Sequence, residues 1–397
     1  MARLSIATKA WRGARLSPCP RAELPQRRTT TRTTTTGGGG GCPWWAGRRC
    51  VCSVRARVGL PRLAPHPLAR QEATPVAQPP AEADAFPADG AAAATGGVWH
   101  ALVSVAGQEP GYRKTNQDTA FLLANWGGAD DTTLIGVFDG HGPHGHSVAG
   151  HLREAVPPAM RDGMSGGGGV SHGLRSAFGH VDRALCRGGS SGIDTDFSGS
   201  TAVVGLMAGE NLTVAWTGDS RAVVGRRLRG GGFTAVALTE DHKPDNPGEA
   251  ARIASVGGRV EQLVDDKGTR VGPHRVWLRS VWTPGLAMSR ALGDAVAHTA
   301  GVSSEPEVTQ HVLTHDDVVI VFATDGLWEF VTNEEAIQLA CGQPTPAAAA
   351  RVLVDEAVRR WVEEEDGVCD DTTVVVVFRK GGPQGGSGAG GGAGGGA

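Results

Sequence analysis

Four short apolar runs in this chain stand next to an aspartate, and that repeated junction limits the possible folds more than any other feature. Leu134–Phe138 runs into Asp139-Gly140, and Val318–Ala323 runs through Thr324 into Asp325-Gly326. Leu212–Trp216 leads to Gly218-Asp219-Ser220-Arg221, and Asp370-Asp371 stands just ahead of Val374–Phe378. Apolar runs of this length, bounded by turn residues, read as buried strands. A strand is rigid, so neighbouring strands can aim carboxylates at one point. Like charges gathered there cannot all stay ionised unless a cation sits among them. Oxygen-only ligands suit the hard cations Mg²⁺ or Mn²⁺ better than zinc. A glycine after the aspartate permits a tight turn and lets a backbone carbonyl reach the same ion. Asp-Gly after one strand is most often a plain turn. Four such junctions in one domain favour the metal reading.

Thr201–Met207 is a further strand run. Helices are expected over Ser147–Val156, Leu174–Arg187 and Ala347–Glu363. Two more carry start signals: Asn246 as cap, Pro247 at the first position and Glu249 closing a capping box, with Gly257 as the stop; and Thr332 with Glu335 ahead of Ala336–Ala340. Many short strands mixed with a few helices, without strict alternation, predict α+β layers and not a doubly wound parallel sheet.

The globular part is expected over Val98–Lys380, a size that one domain can reach. Residues 1–71 carry fourteen Lys/Arg against one acid, Glu23, a formal +13, so the remainder holds −16 within the net −3. An acidic body argues against nucleic acid as the main partner. The leader is rich in Arg, Ser and Thr, the composition either of a disordered basic tail on a cytoplasmic protein or, slightly ahead, of a transit peptide to the chloroplast or mitochondrion, with the chloroplast favoured by its Thr-rich run. Gln71–Gly97 is an Ala/Pro-rich linker, and residues 381–397 form a Gly-rich tail; neither has the apolar surface to fold. No run is long enough for a membrane span. Seven scattered cysteines do not form a disulfide framework, and Cys50-Val51-Cys52 lacks zinc-knuckle spacing.

The body resembles the type-2C, metal-dependent Ser/Thr protein phosphatases. The resemblance rests on eight motifs in family order: Arg113-x-x-Asn116-Gln117-Asp118, Asp139-Gly140-His141-Gly142, Ser198-Gly199-Ser200-Thr201-Ala202 and Gly218-Asp219-Ser220-Arg221, then Asp241-His242-Lys243-Pro244, Leu286 through Leu292-Gly293-Asp294, Thr324-Asp325-Gly326-Leu327-Trp328-Glu329 and Asp370-Asp371-Thr372-Thr373. It implies two antiparallel sheets packed as a sandwich with helices on both sides. It also implies two Mg²⁺ or Mn²⁺ ions, with Asp139 bridging, the Gly140 carbonyl on one ion, Asp325 and Asp370 on the other, and Asp118 orienting waters. Arg113 would grip phosphate and His141 would act as general acid. Asp219 and Glu329 fall at a weaker third metal site. The implied enzyme is a monomer acting on phosphoproteins. Gln117 stands where many members carry Glu, as is common in plant-type members, and Glu329 replaces the usual Asp.

A second class is a catalytically silent pseudophosphatase serving as a regulatory binding module, against which the filled ligand positions argue. A third, a phosphatase for small esters, stays open because substrate choice lives on loops. His144 and His146 read as surface loop and not as a zinc set with His141. Asp294 reads as holding loop structure. Trp277 and Trp282 read as packing within a flap.

Overall fold

A computed structural model describes residues 98–165, 167–186, 191–379 and 382–383; the leader and linker of residues 1–97, and most of the Gly-rich tail, lie outside them. The described chain opens with β1 (Trp99–Val105), β2 (Gln108–Glu109), β3 (Tyr112–Arg113), β4 (Asp118–Ala124) and β5 (Thr132–His141). The helices α1 (Gly145–Ser165) and α2 (Gly169–Cys186) follow, then β6 (Gly199–Ser200), β7 (Ala202–Ala208), β8 (Asn211–Thr217), β9 (Arg221–Arg227), β10 (Phe233–Ala237) and α3 (Pro247–Ser255). Next come β11 (Arg259–Val264), β12 (Arg270–Trp277), β13 (Pro284–Leu286), β14 (Leu292–Gly293) and α4 (Ala295–Thr299). The last are β15 (Glu307–Val312), β16 (Asp317–Ala323), α5 (Asp325–Trp328), α6 (Asn333–Cys341), α7 (Pro346–Glu364) and β17 (Thr372–Phe378).

Two antiparallel sheets carry the fold. One has the order β1-β17-β16-β9-β10; the other runs β14-β6-β5-β7-β8-β15, with β4 also paired to β5. Alternate side chains explain why the strands read as unbroken apolar runs. In β16, Ile320 and Phe322 face the other sheet, while Val319 and Val321 face α6 and α7. In β5, Ile135 and Val137 face between the sheets, while Leu134 and Phe138 pack on α1 and α2. Strands covered on both faces have no polar side to show. The layers are therefore helices, sheet, sheet, helices, the expected sandwich. Among the described residues, no helix is long and apolar enough to cross a membrane.

Two local expectations need correction. Helix α1 runs on through Pro157 and Pro158, past the stop expected at Val156. Its apolar stripe of Val148, Leu152, Val156 and Met160 is wholly buried, and each such side chain contributes about 1.5–3 kcal/mol, enough to offset the missing backbone donors. At α3, Pro247 takes the first turn as expected, but no capping box forms. Asn246 instead donates from Nδ2 to the Asp241 carbonyl at 2.9 Å. The Glu249 carboxylate is taken by Arg252 and Arg290, both at 2.7 Å, and by Ser289 at 2.5 Å. Burial works against that charge, yet these three donors hold Glu249 well below the usual carboxylate range.

The box at α6 does form. Thr332 accepts from the Glu335 amide, and the Glu335 carboxylate accepts from the Thr332 amide at 2.9 Å. Thr332→Ala removes half of it and should cost about 1 kcal/mol, read as a lower urea midpoint with an unchanged slope.

Candidate active site

Asp139 lies near the end of β5, directly across from Asp118 at the start of β4. Its amide donates to Thr201 Oγ1 at 3.2 Å, and its carbonyl accepts from the Thr201 amide at 2.9 Å. Thr201, held in turn by Ser220 at 2.7 Å, thus fixes the backbone that presents the carboxylate. Gly140 is required by close packing: a Cβ there would lie 2.3 Å from the Gly145 carbonyl oxygen. Gly145 in turn leaves the Gly140 carbonyl uncovered, since a Cβ on it would come within 3.0 Å of that oxygen.

The structure gathers the other predicted carboxylates around Asp139. Asp325 opens α5 at the end of β16, with its carboxyl beside that of Asp139. Asp118, 8% exposed, accepts from Thr324 Oγ1 at 2.8 Å through Oδ2, while its buried Oδ1 has no partner. Asp219 is 3% exposed, and its Oδ1 is likewise buried without a partner. Asp370 precedes β17 and pairs with Lys114 Nζ. Its neighbour Asp371 points elsewhere, accepting from the amides of Gly107 at 2.6 Å and Gln117 at 2.8 Å. Asp371 therefore anchors the Asp118 segment, and Asp370 faces the centre.

Loss of water, then repulsion from Asp118, Asp325, Asp370 and Asp219, pushes the Asp139 carboxyl far above its ordinary range. Asp325 is pushed up to about 8 by burial and by Asp219 and Asp370. Burial also works to raise Asp219, but the Lys243 ammonium at 2.6 Å outweighs it and holds that group low. With all five carboxylates ionised, the two ammonium groups would leave three negative charges uncompensated in one place. The surplus, the orphaned oxygens of Asp118 and Asp219 and the oxygen-only donor set all fit divalent hard cations. Among the described residues, the trio whose ligand atoms all lie within 4.8 Å of one another is Asp182, Cys186 and His298, away from this centre.

Arg113 is exposed on β3, opposite Gln108, whose backbone is bonded in both directions to Cys369 beside Asp370. Glu329 is exposed at the end of α5, and its charge reaches Arg221, which also feels Asp219. Gln117 donates from Nε2 to the Gly142 carbonyl at 2.9 Å, a bond that a glutamate could not make. His144 and His146 are exposed, as expected, but His146 stands in the first turn of α1 and not in a loop. Trp277 packs edge-on against Trp282 at 5.0 Å, with the Arg259 guanidinium 4.7 Å from the Trp282 ring centre, which is the expected flap packing.

His141 closes β5, and its Nε2 lies 2.6 Å from Asp294 Oδ2. Burial alone would strip its proton, but Asp294 outweighs that and raises the imidazole pKa. Asp294 has a positive φ of 48°, and its amide is held by the Ser198 carbonyl at 2.9 Å. Gly199 makes the pair possible: a Cβ there would lie 2.1 Å from Asp294 Oδ2 and 2.8 Å from His141 Nε2. Asp294 does hold the loop, as expected, but its contact with His141 was not foreseen. Lys114 and Lys243 were missed as well. The sole signal for all three was their place inside motifs that also hold acids.

His242 was also overlooked. It stacks on Trp216 and accepts from the Gly218 amide through Nδ1 at 3.1 Å, fixing the turn that carries Asp219. Burial, then the positive charge of Arg290, lowers its pKa to about 4. Between pH 6.5 and 4 the unfolded chain binds a proton that the folded chain refuses, so stability falls as pH drops through that window. The loss should reach up to about 3 kcal/mol. His242→Gln, which can still accept from Gly218, should flatten that part of the melting profile relative to wild type. Equal slopes in the two proteins would refute the assignment.

The family model described as "Protein phosphatase 2C" matches residues 103–366. "Probable protein phosphatase 2C 64" of Oryza sativa subsp. japonica is 42% identical over 260 residues, covering 64% of this chain and 60% of that protein. "Probable protein phosphatase 2C 48" of the same species is 38% identical over 284 residues, covering 66% of this chain and 79% of its own length. Among solved structures, "serine-threonine phosphatase 2C from Toxoplasma gondii" superposes with a TM-score of 0.62 at 23% identity, covering 71% of this chain and 95% of that one, a likeness of fold. The two-sheet sandwich, the carboxylates at its strand ends and the match to the family over most of the described residues lead to one conclusion: this chain belongs to the protein phosphatase 2C family.

Proposed function

We propose that the chain hydrolyses phosphoserine and phosphothreonine monoesters in proteins, using Mg²⁺ or Mn²⁺ held at the Asp139 centre. The observation that carries this reading is the convergence of Asp118, Asp139, Asp219, Asp325 and Asp370, with His141 next in line on β5. Asp139, the Gly140 carbonyl, Asp325 and Asp370 would hold two ions, with a weaker third at Asp219 and Glu329. Bound there, such ions supply charge neutralisation for a phosphate and a nucleophilic water at neutral pH. Asp118 presents its unpartnered Oδ1 to orient water. Arg113 offers a planar fork that matches phosphate oxygens. His141, whose protonated form Asp294 favours, hands a proton to the departing serine or threonine oxygen. The filled ligand positions support an enzyme over a silent binding module, and metal titration by calorimetry separates the two.

Purified full-length protein should release phosphate from phosphoserine and phosphothreonine peptides when Mn²⁺ or Mg²⁺ is supplied, and a chelator should abolish the release. No release with metal present would refute the reading. The basic leader supports delivery to a chloroplast or mitochondrion. A reporter carrying residues 1–97 should enter one of these organelles, and a diffuse cytosolic signal would exclude it. We take the working form to be a monomer.

A further inference from the structure

Helix α2 and the β14–α4 segment meet at a second cluster of ligand-type side chains. Asp182 and Cys186 lie one turn apart on α2, and His298 reaches them from α4. An Asp182 oxygen, Cys186 Sγ and His298 Nε2 all lie within 4.8 Å of one another. Nε2 is 3.3 Å from Asp182 Oδ1, and Sγ is 3.7 Å from the same atom. A tetrahedral ion with bonds of about 2.0–2.3 Å to N, O and S sets ligand-to-ligand edges of roughly 3.3–3.7 Å. The two measured edges match that size.

A separate observation concerns the far side of the ring. His298 Nδ1 lies 2.9 Å from the Val302 carbonyl, and a carbonyl can only accept. Nδ1 therefore keeps a proton, and Nε2 is the atom turned toward Asp182 and Cys186, where it offers a lone pair once its own proton leaves. Proteins fix the imidazole tautomer in this way behind a metal ligand.

We propose that Asp182, Cys186 and His298 form a site for a borderline-soft divalent cation, Zn²⁺ above all, distinct from the hard-cation centre at Asp139. A thiolate and an imidazole select zinc over Mg²⁺ or Mn²⁺. Cys186 and His298 are half-buried, so solvent can fill the fourth position. Binding releases the thiol proton and the Nε2 proton. Burial works to remove the latter, but the bonds to Asp182 and Cys186 outweigh it and push His298 up to about 11. Cation and proton thus compete for one lone pair. The other two body thiols do not compete, since Cys341 and Cys369 are buried and pushed up to about 12. Gly293 joins this site to the catalytic one: its amide donates to Asp182 Oδ1 at 3.0 Å, its carbonyl lies 3.2 Å from Cys186 Sγ, and the next residue is Asp294.

The test uses the full-length chain with Cys19, Cys42, Cys50 and Cys52 replaced by serine, titrated with Co²⁺ under saturating Mg²⁺. A near-ultraviolet thiolate-to-cobalt band should grow to one equivalent and be displaced by Zn²⁺. Cys186→Ser should abolish the band, and His298→Gln should weaken Co²⁺ binding about tenfold or more. Asp325→Ala, which touches the other centre, should leave the band intact even though it stops turnover. Absence of the band in the parent protein, or its survival in Cys186→Ser, would overturn the proposal. If Cys186→Ser fails to fold, unchanged Co²⁺ affinity in His298→Gln overturns it equally.

Discussion

Asp325→Ala should lower phosphatase turnover by about 10³-fold or more, the several kcal/mol of charge stabilisation that bound divalent ions supply. The side chain is one of five acids at the centre and stands beside Asp139. Its loss leaves the peptide frame intact, because Thr324 bonds to Asp118 and to the Thr373 amide whether or not Asp325 carries a carboxylate, and Trp361 Nε1 holds the Gly326 carbonyl at 2.7 Å. The same substitution should not reduce stability in a chelating buffer. In the cation-free fold, burial and the neighbouring acids push Asp325 up to about 8, so near neutral pH this carboxyl opposes folding. The variant should therefore melt at or above the wild-type temperature when chelator is present, and should gain less from added Mn²⁺. Turnover within tenfold of wild type would remove Asp325 from the ligand set. A large drop in the chelated melting temperature would make its role structural.

Asp294→Asn should lower turnover by about 10²-fold, the lower end of what a positioned proton donor contributes. The amide is the same shape and can still meet His141 Nε2, but it brings no negative charge. The imidazole pKa, raised by Asp294 in the wild type, should fall. A general acid works only while protonated, so the alkaline limb of the kcat profile should move to lower pH. Mn²⁺ affinity measured by calorimetry should stay near wild type, because Asp294 faces His141 and not the carboxylates. An unshifted alkaline limb would show that Asp294 serves only the loop.

Much of this was legible in the sequence because strand-end acids are local features. Leu134–Phe138 and Val318–Ala323 announce strands by their unbroken apolar character, and the aspartate that follows each is where a sheet presents its side chains. The partners of those acids are not local. Lys114 meets Asp370 across 256 positions, and His141 meets Asp294 across 153. No periodicity reports such pairs. Glu249 shows the opposite failure. Its spacing from Asn246 fits a capping box, yet two arginines and a serine outbid the backbone for its carboxylate once α3 is packed. Pro157 and Pro158 gave a local stop signal that burial of the helix face overruled.

Lys114 and Lys243 reach into the carboxylate cluster from β-connections that the chain must build in any case. They act as tethered counter-ions. A newly made chain can close its sandwich around these acids before any free cation arrives, since part of the repulsion is cancelled from within. A cation entering the centre would have to displace ammonium groups that cannot diffuse away. Each lysine waits beside its aspartate to return when the ion leaves. Occupancy of the centre should accordingly follow the free divalent-ion concentration around the protein reversibly, without unfolding between the two states.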